Sequence, residues 1–210
     1  MAILMLIVEL IGTVAFAVSG AMTGLSKRMD IFGVAILGLT TATGGGVLRD
    51  ILLGSFPPMM FRNPIYAAVA IGGAIVIFLP IVRRLLARTQ RVYSAILFCA
   101  DTLGLGIFTV VGVQAAYLAG YNNAFLAIFV GTITGVGGGV LRDVLAGNTP
   151  YIFVKHIYAC AAIAGALVCV LLWHPFGATA AMFAGAGVIV AIRVLAAHFH
   201  WSLPKGSDQV

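Results

Sequence analysis

Charge is scarce in this sequence. Only 9% of the 210 residues are Asp, Glu, Lys or Arg, against roughly 25% in an ordinary soluble domain. Hydrophobic residues make up 62% of the chain, and mean hydropathy is +1.13. A 21.8 kDa globule cannot hide that much apolar surface, so a soluble enzyme and a disordered tail are excluded. Cysteine is also sparse. Cys99, Cys160 and Cys169 lie in apolar segments with no C-x-x-C spacing, which makes them expected buried small hydrophobes, and the apolar composition itself excludes a secreted disulfide scaffold. The start, MAILMLIVELIG, lacks the positive n-region of a signal peptide, so its apolar run is expected to be a retained helix.

Catalytic patterns are missing too. There is no phosphate loop, Ser-His-Asp arrangement or metalloprotease motif. His198 and His200 are two residues apart and do not share a helix face. No enzyme activity, resident metal or cofactor is therefore expected. The net charge of +6 comes from 12 basic and 6 acidic residues. The basic residues sit between apolar runs and form no stripe, so nucleic acid is not an expected partner, and they are read as loop charges that set membrane orientation.

What the chain has is seven apolar runs, at about 2–24, 31–53, 65–82, 93–118, 123–146, 157–173 and 177–197. Each is long enough to cross a hydrocarbon core of about 30 Å at 1.5 Å per residue. None alternates as the strands of a membrane barrel would. The breaks are Ser26-Lys27-Arg28-Met29-Asp30, Ser55-Phe56-Pro57-Pro58, the Arg83-Arg84 to Arg91 stretch, Gly120-Tyr121-Asn122-Asn123, Gly147-Asn148-Thr149-Pro150 and Trp173-His174-Pro175. An all-α, seven-span membrane protein follows. Trp173, His174 and Trp201 fit interfacial anchors. With alternating crossings, Lys27, Arg28, Arg83, Arg84, Arg88, Arg91, Lys155 and Lys205 share one side, and only Arg62 lies in an opposite loop. The positive-inside rule then puts the N-terminus outside and the C-terminus in the cytoplasm.

Internal repetition is the most informative feature. Gly44-Gly45-Gly46-Val47-Leu48-Arg49-Asp50 recurs 93 residues on as Gly137-Gly138-Gly139-Val140-Leu141-Arg142-Asp143. At the same spacing Gly38, Thr41, Gly54 and Pro57 match Gly131, Thr134, Gly147 and Pro150, and Arg62 is answered by Lys155. At a spacing of 92, Glu9 is answered by Asp101, while Gly12, Phe16, Gly20 and Ile65-Tyr66-Ala67 match Gly104, Phe108, Gly112 and Ile157-Tyr158-Ala159. One membrane domain over 1–210 is expected, with repeat 1 at about 2–82, repeat 2 at about 93–173, a seventh helix at about 177–197 and a tail over 198–210. Three crossings per copy is an odd number, so the second copy enters from the opposite face. Inverted repeats of this kind place the functional site near the midplane, between the copies.

Each glycine in a helix interior costs roughly 1 kcal/mol relative to Ala. Close helix packing is one use for the triplets. The favoured expectation is a broken helix in the second and fifth runs, whose freed amides and carbonyls line a cavity. An ion pair follows each triplet, Arg49-Asp50 and Arg142-Asp143. Charges at a helix centre cost about 2.5–3.5 kcal/mol on insertion scales, and they usually face a pathway or one another. Adjacent residues stand about 100° apart on a helix, so each of these four is expected to find its partner elsewhere, in interhelical salt bridges or along a pathway. Glu9 and Asp101 are candidates to counter Arg49 or Arg142, or to favour a cation at a vestibule. Ser19, Thr41, Thr43, Gln114 and Thr134 add polar groups within the apolar runs. Ser and Thr often only bond a carbonyl one turn back.

The doubled Gly-Gly-Gly-Val-Leu-Arg-Asp motif in a seven-span chain of this length resembles the prokaryotic TRIC (trimeric intracellular cation) channels, sequences that also go under the label of glycine transporter domain. The resemblance covers about 2–200. It implies a homotrimer in a bacterial or archaeal inner membrane, among lipids, with one pore for monovalent cations in each protomer. It also implies kinks at Gly44, Gly45 and Gly46 and at Gly137, Gly138 and Gly139 that line the pore. The lysine-rich phosphoinositide features of animal members find no match, so lipid regulation is not carried over. Three function classes stand: a potassium and sodium channel, a carrier for a small amino acid such as glycine, and a scaffold that moves no solute. The resemblance favours the channel.

Overall fold

A computed structural model describes residues 2–86, 89–154 and 157–201. Among the described residues ten helices follow in order: α1 Ala2–Ser26, α2 Ile31–Leu52, α3 Met59–Arg62, α4 Ile65–Phe78, α5 Pro80–Leu86, α6 Gln90–Leu118, α7 Ala124–Leu145, α8 Tyr151–Val154, α9 Tyr158–Phe176 and α10 Ala178–His198. The described residues contain no strand. Arg88, Lys155 and Lys205, three of the expected orientation charges, lie outside the described residues, as does the expected tail beyond residue 201.

Among the described residues, α1, α2, α6, α7, α9 and α10 are long and apolar enough to cross a membrane, and α4 is a shorter apolar helix. The expected third run, 65–82, is thus divided. Its helix stops at Phe78, and α5 restarts at Pro80. Proline cannot donate the helical bond its position requires and clashes with the preceding turn. The 14 residues of α4 reach about 21 Å at 1.5 Å per residue. The sixth break also moves. Pro175 sits inside the last turn of α9, and Gly177, at φ 81°, separates α9 from α10. The loops after α2 and α7 hold the one-turn helices α3 and α8, which the sequence did not announce.

Local signals explain the ends of the two motif helices. The Asp30 carboxylate accepts from Gly33 N at 2.7 Å and starts α2, and the Asn123 side-chain oxygen accepts from Leu126 N at 3.2 Å and starts α7. Each satisfies one of the orphan amides of a first turn. Gly54 and Gly147, at φ 68° and 65°, end them in the left-handed region, where glycine has no Cβ to clash.

Helices α2 and α7 cross at the centre, with α1 and α4 against α2, α6 and α9 against α7, and α10 closing on α9 and α6. Phe16, Ala17, Ala42, Ala70 and Phe108 form a buried central cluster. The outer surface carries large apolar side chains such as Phe32, Leu118, Phe125 and Phe153, as a lipid-facing wall would. Cys169 is buried as expected, but Cys99 and Cys160 are exposed on that wall.

The glycine triplets overturn one expectation. Helices α2 and α7 run unbroken through Gly44–Gly46 and Gly137–Gly139, so no amides or carbonyls are released there. A Cβ on Gly45 would overlap the Thr134 carbonyl oxygen, and a Cβ on Gly138 would overlap the Thr41 carbonyl oxygen. A Cβ on Gly44 would stand 2.5 Å from Leu141 Cδ1, and one on Gly137 would stand 3.0 Å from Leu48 Cδ1. The missing side chains let the two helices touch backbone to backbone, which is the packing use of small residues.

Candidate functional site: a charged cavity and a buried charge cluster

Two groups of charged residues flank the central crossing, and they are built from matching positions of the repeat. The first opens into a cavity of about 370 Å³ between α1, α2, α3, α4 and α6. Glu9, Thr43, Gly46, Arg49, Asp50 and Gln114 line it, and Phe108 contributes to its wall. Arg49 Nε donates to Asp50 Oδ1 at 2.8 Å. The other Asp50 oxygen accepts from Met59 N at 2.7 Å, at the start of α3. Glu9 Oε2 accepts from the Tyr66 hydroxyl.

The second group is buried. Arg142 Nε donates to Asp143 Oδ1 at 2.8 Å, and Asp143 Oδ2 accepts from Tyr151 N at 2.9 Å, at the start of α8. Up to here it copies the first group. Beyond here it differs. Arg142 Nη1 donates to Asp101 Oδ1 at 2.7 Å and to the Ser19 hydroxyl. The Ser19 bond ties α7 of the second repeat to α1 of the first. The Tyr158 hydroxyl donates to Asp101 Oδ1 at 3.4 Å. Asp101 is 0% exposed and Arg142 1%, whereas the Arg49 side chain keeps 12% exposure. Between the groups, the rings of Phe16 and Phe108 stack with centroids 5.4 Å apart.

The expectation that neighbouring Arg and Asp must find partners elsewhere is corrected. Both pairs close on themselves, because the long arginine chain swings its guanidinium back across the angle that separates the two Cβ directions. The charges do more than pair, since each aspartate's second oxygen captures the first amide of the following short helix. The Asp101–Arg142 contact anticipated from the sequence is present. Glu9 has no ion-pair partner among the described residues and is held by Tyr66 instead.

The remaining candidates separate cleanly. Gln114, Thr43 and Gly46 face the cavity. Thr41 and Thr134 bond carbonyls one turn back, at Leu37 and Val130, both at 2.6 Å. Ser19 belongs to the buried group. Gly139 lies beside Tyr158 Oη and Arg142 Nη2, while a Cβ on Gly46 would have only Arg49 Nη2 nearby, at 3.8 Å. Sequence reasoning missed Arg193 on α10. Its Nη2 lies 3.3 Å from Asp101 Oδ2, its Nε 3.4 Å from Thr102 Oγ1, and its guanidinium 4.9 Å from the ring centres of both Phe98 and Tyr158. The available signal was a lone arginine in the seventh apolar run. Tyr66 and Tyr158 were noted as matching residues but given no role.

Known proteins place this architecture. A family model described as Glycine transporter matches residues 6–80 and again 98–174. The inner membrane protein YadS of Escherichia coli K12 is 38% identical over 199 residues, covering 93% of each chain. A solved structure of a TRIC cation channel superimposes with a TM-score of 0.86 at 34% identity, over 97% of this chain and 98% of that one. The TRIC orthologue from Rhodobacter sphaeroides, solved as a trimeric intracellular cation channel, gives a TM-score of 0.85 at 31% identity, over 94% and 99%.

Proposed function

The chain belongs to the prokaryotic TRIC family of multi-pass membrane proteins, and on that premise we propose that it is a channel for monovalent cations, potassium and also sodium. Each protomer of a homotrimer carries its own pathway, in a bacterial or archaeal inner membrane with the N-terminus outside. The pathway enters at the cavity beside Glu9, Thr43, Gly46 and Gln114. It passes Phe16 and Phe108 and leaves through the Asp101–Arg142 cluster. Gly46 and Gly139 line it, and Gly44, Gly45, Gly137 and Gly138 hold α2 against α7 on either side. No resident metal or cofactor takes part, and the ion is the cargo.

The observation that carries this reading is the pair of matching charge groups built from the two copies of the motif, one lining an open cavity and one buried. A cation leaving water needs oxygen partners and nearby negative charge to offset its desolvation. Glu9 and Asp50 supply negative charge to the cavity, and Arg49 tempers it.

One observation favours a second reading, a carrier for a small amino acid. Arg49 and Glu9 line the same cavity, an arrangement that suits a zwitterion, and the family model's description names glycine. Purified protein in a planar bilayer under a potassium gradient separates the two. The channel gives unitary current steps that reverse near the potassium equilibrium potential. Saturable glycine accumulation in proteoliposomes, without steps, would establish the carrier. Neither activity in folded protein would leave the scaffold.

A further inference from the structure

The two charge groups are built from one repeated motif, yet one is open to water and the other is sealed. The residues that differ explain why. On the open side, the Glu9 carboxylate has one side-chain partner among the described residues, the Tyr66 hydroxyl. On the sealed side, Asp101 has the matching tyrosine, Tyr158, and two arginines besides. Arg142 belongs to the motif. Arg193 comes from α10, the helix that stands outside the repeat and has no counterpart in the first copy.

Counting charge sharpens the point. Arg142 and Arg193 balance Asp101 and Asp143, so the sealed group is neutral as it stands. Without Arg193 it would hold one uncompensated negative charge, which is strongly unfavourable away from water. The two arginines are not held alike. Arg142 reaches Asp101 at 2.7 Å and also grips Asp143 and Ser19. Arg193 reaches Asp101 at 3.3 Å and Thr102 at 3.4 Å, long for charge-assisted bonds. The faces of Phe98 and Tyr158 accommodate its guanidinium, as aromatic rings do for a cation. Arg193 is the looser partner of Asp101.

We propose that Arg193 is a tethered counter-cation: its guanidinium occupies Asp101 in the sealed state, where a permeant monovalent cation would otherwise sit, and its departure admits that ion. Arg193 is thus a positioning residue for the pathway, acting through Asp101. The inference rests on the cation-channel reading above. It extends that reading by naming what holds one end shut.

The test compares Arg193→Gln, Arg193→Lys and the double variant Asp101→Asn/Arg193→Gln. Each is checked for folding by size-exclusion profile and thermal unfolding, and recorded in planar bilayers in potassium chloride. Arg193→Gln should raise open probability by roughly tenfold, within the usual range of coupling between sites. The lysine keeps the charge and should stay near the parent protein. The double variant removes the unpaired charge together with its partner and should return to low opening. A structural role alone would leave the double variant as disturbed as the single one. A second readout needs no current. Ser19→Cys, in a background where Cys99, Cys160 and Cys169 are replaced, should resist a water-soluble thiol reagent and become reactive when Arg193→Gln is added. Unchanged opening together with unchanged labelling in folded Arg193→Gln overturns the proposal. If Arg193→Gln does not fold, opening near that of the parent protein in both the lysine and the double variants supports the proposal, and opening raised in either one overturns it. Absence of current in the parent protein would defeat the channel reading, and the labelling would still decide the role of Arg193.

Discussion

Gly45 on α2 packs so tightly against the Thr134 carbonyl oxygen on α7 that a Cβ there would overlap it, and Gly138 meets the Thr41 carbonyl oxygen in the same way. This reciprocal pair is the contact around which the two motif helices cross. Gly45→Ala and Gly138→Ala should each force the backbones apart and destabilise the protein by about 1–3 kcal/mol, the usual cost of overpacking. Gly46→Ala should cost little, because a Cβ there finds only Arg49 Nη2 at 3.8 Å, and it should change ion flux because it enters the cavity. Thermal unfolding in detergent, set beside bilayer conductance, checks both halves. Equal loss of stability at Gly45 and Gly46 would contradict the packing assignment.

The two motif arginines should differ in what their loss costs. Arg142 is 1% exposed and serves Asp101, Asp143 and Ser19. Arg142→Ala leaves Asp143 without a cation and Asp101 with Arg193 alone, and should destabilise by about 3–5 kcal/mol. Arg49 faces the cavity, where water can take over its role toward Asp50, so Arg49→Ala should cost about 1 kcal/mol or less. Matching shifts in unfolding temperature for the two variants would mean that the cavity is not wet.

Much of this was legible in the sequence, for identifiable reasons. The apolar runs announced the spans because a membrane leaves a helix no other way to satisfy its backbone. The doubled motif announced the matching charge groups because seven identical residues recur at both places. The use of the glycines was misread. A triplet suits a break as well as a close contact, the symmetric repetition tipped the expectation to a break, and the Thr41 and Thr134 carbonyls on the opposing helix show contact instead. The Arg49–Asp50 pairing was misjudged from Cβ directions, which ignore the reach of an arginine. Arg193 escaped notice because one arginine in an apolar run makes no pattern, and its partner lies 92 residues earlier in the chain.

Orientation can be read chemically. Lys27 in the α1–α2 turn and Asn122 in the α6–α7 turn are both exposed, and the basic bias assigns them to opposite faces. Single cysteines there, in a background without Cys99, Cys160 and Cys169, should react with an impermeant maleimide from different sides. Asn122→Cys should label in intact cells, and Lys27→Cys only after the membrane is opened. Labelling of both in intact cells would refute the assigned topology.

The cavity charges should act through the local ion concentration, and that makes their effect depend on salt. Glu9 and Arg49 line the same wide mouth, where their fields reach about 30 Å at 0.01 M salt and only about 3 Å at 1 M. Glu9→Gln removes a negative charge and should lower single-channel conductance in dilute potassium chloride. Arg49→Gln removes a positive charge and should raise it. Both effects should fade toward 1 M, because screening then replaces the fixed charge as the main influence on an entering ion. A residue that coordinated the ion directly would behave differently, since a lost ligand is not restored by salt. Conductance changes of the same size at both concentrations would therefore move Glu9 and Arg49 from the mouth into the coordination path. No change at either concentration would place the pathway elsewhere.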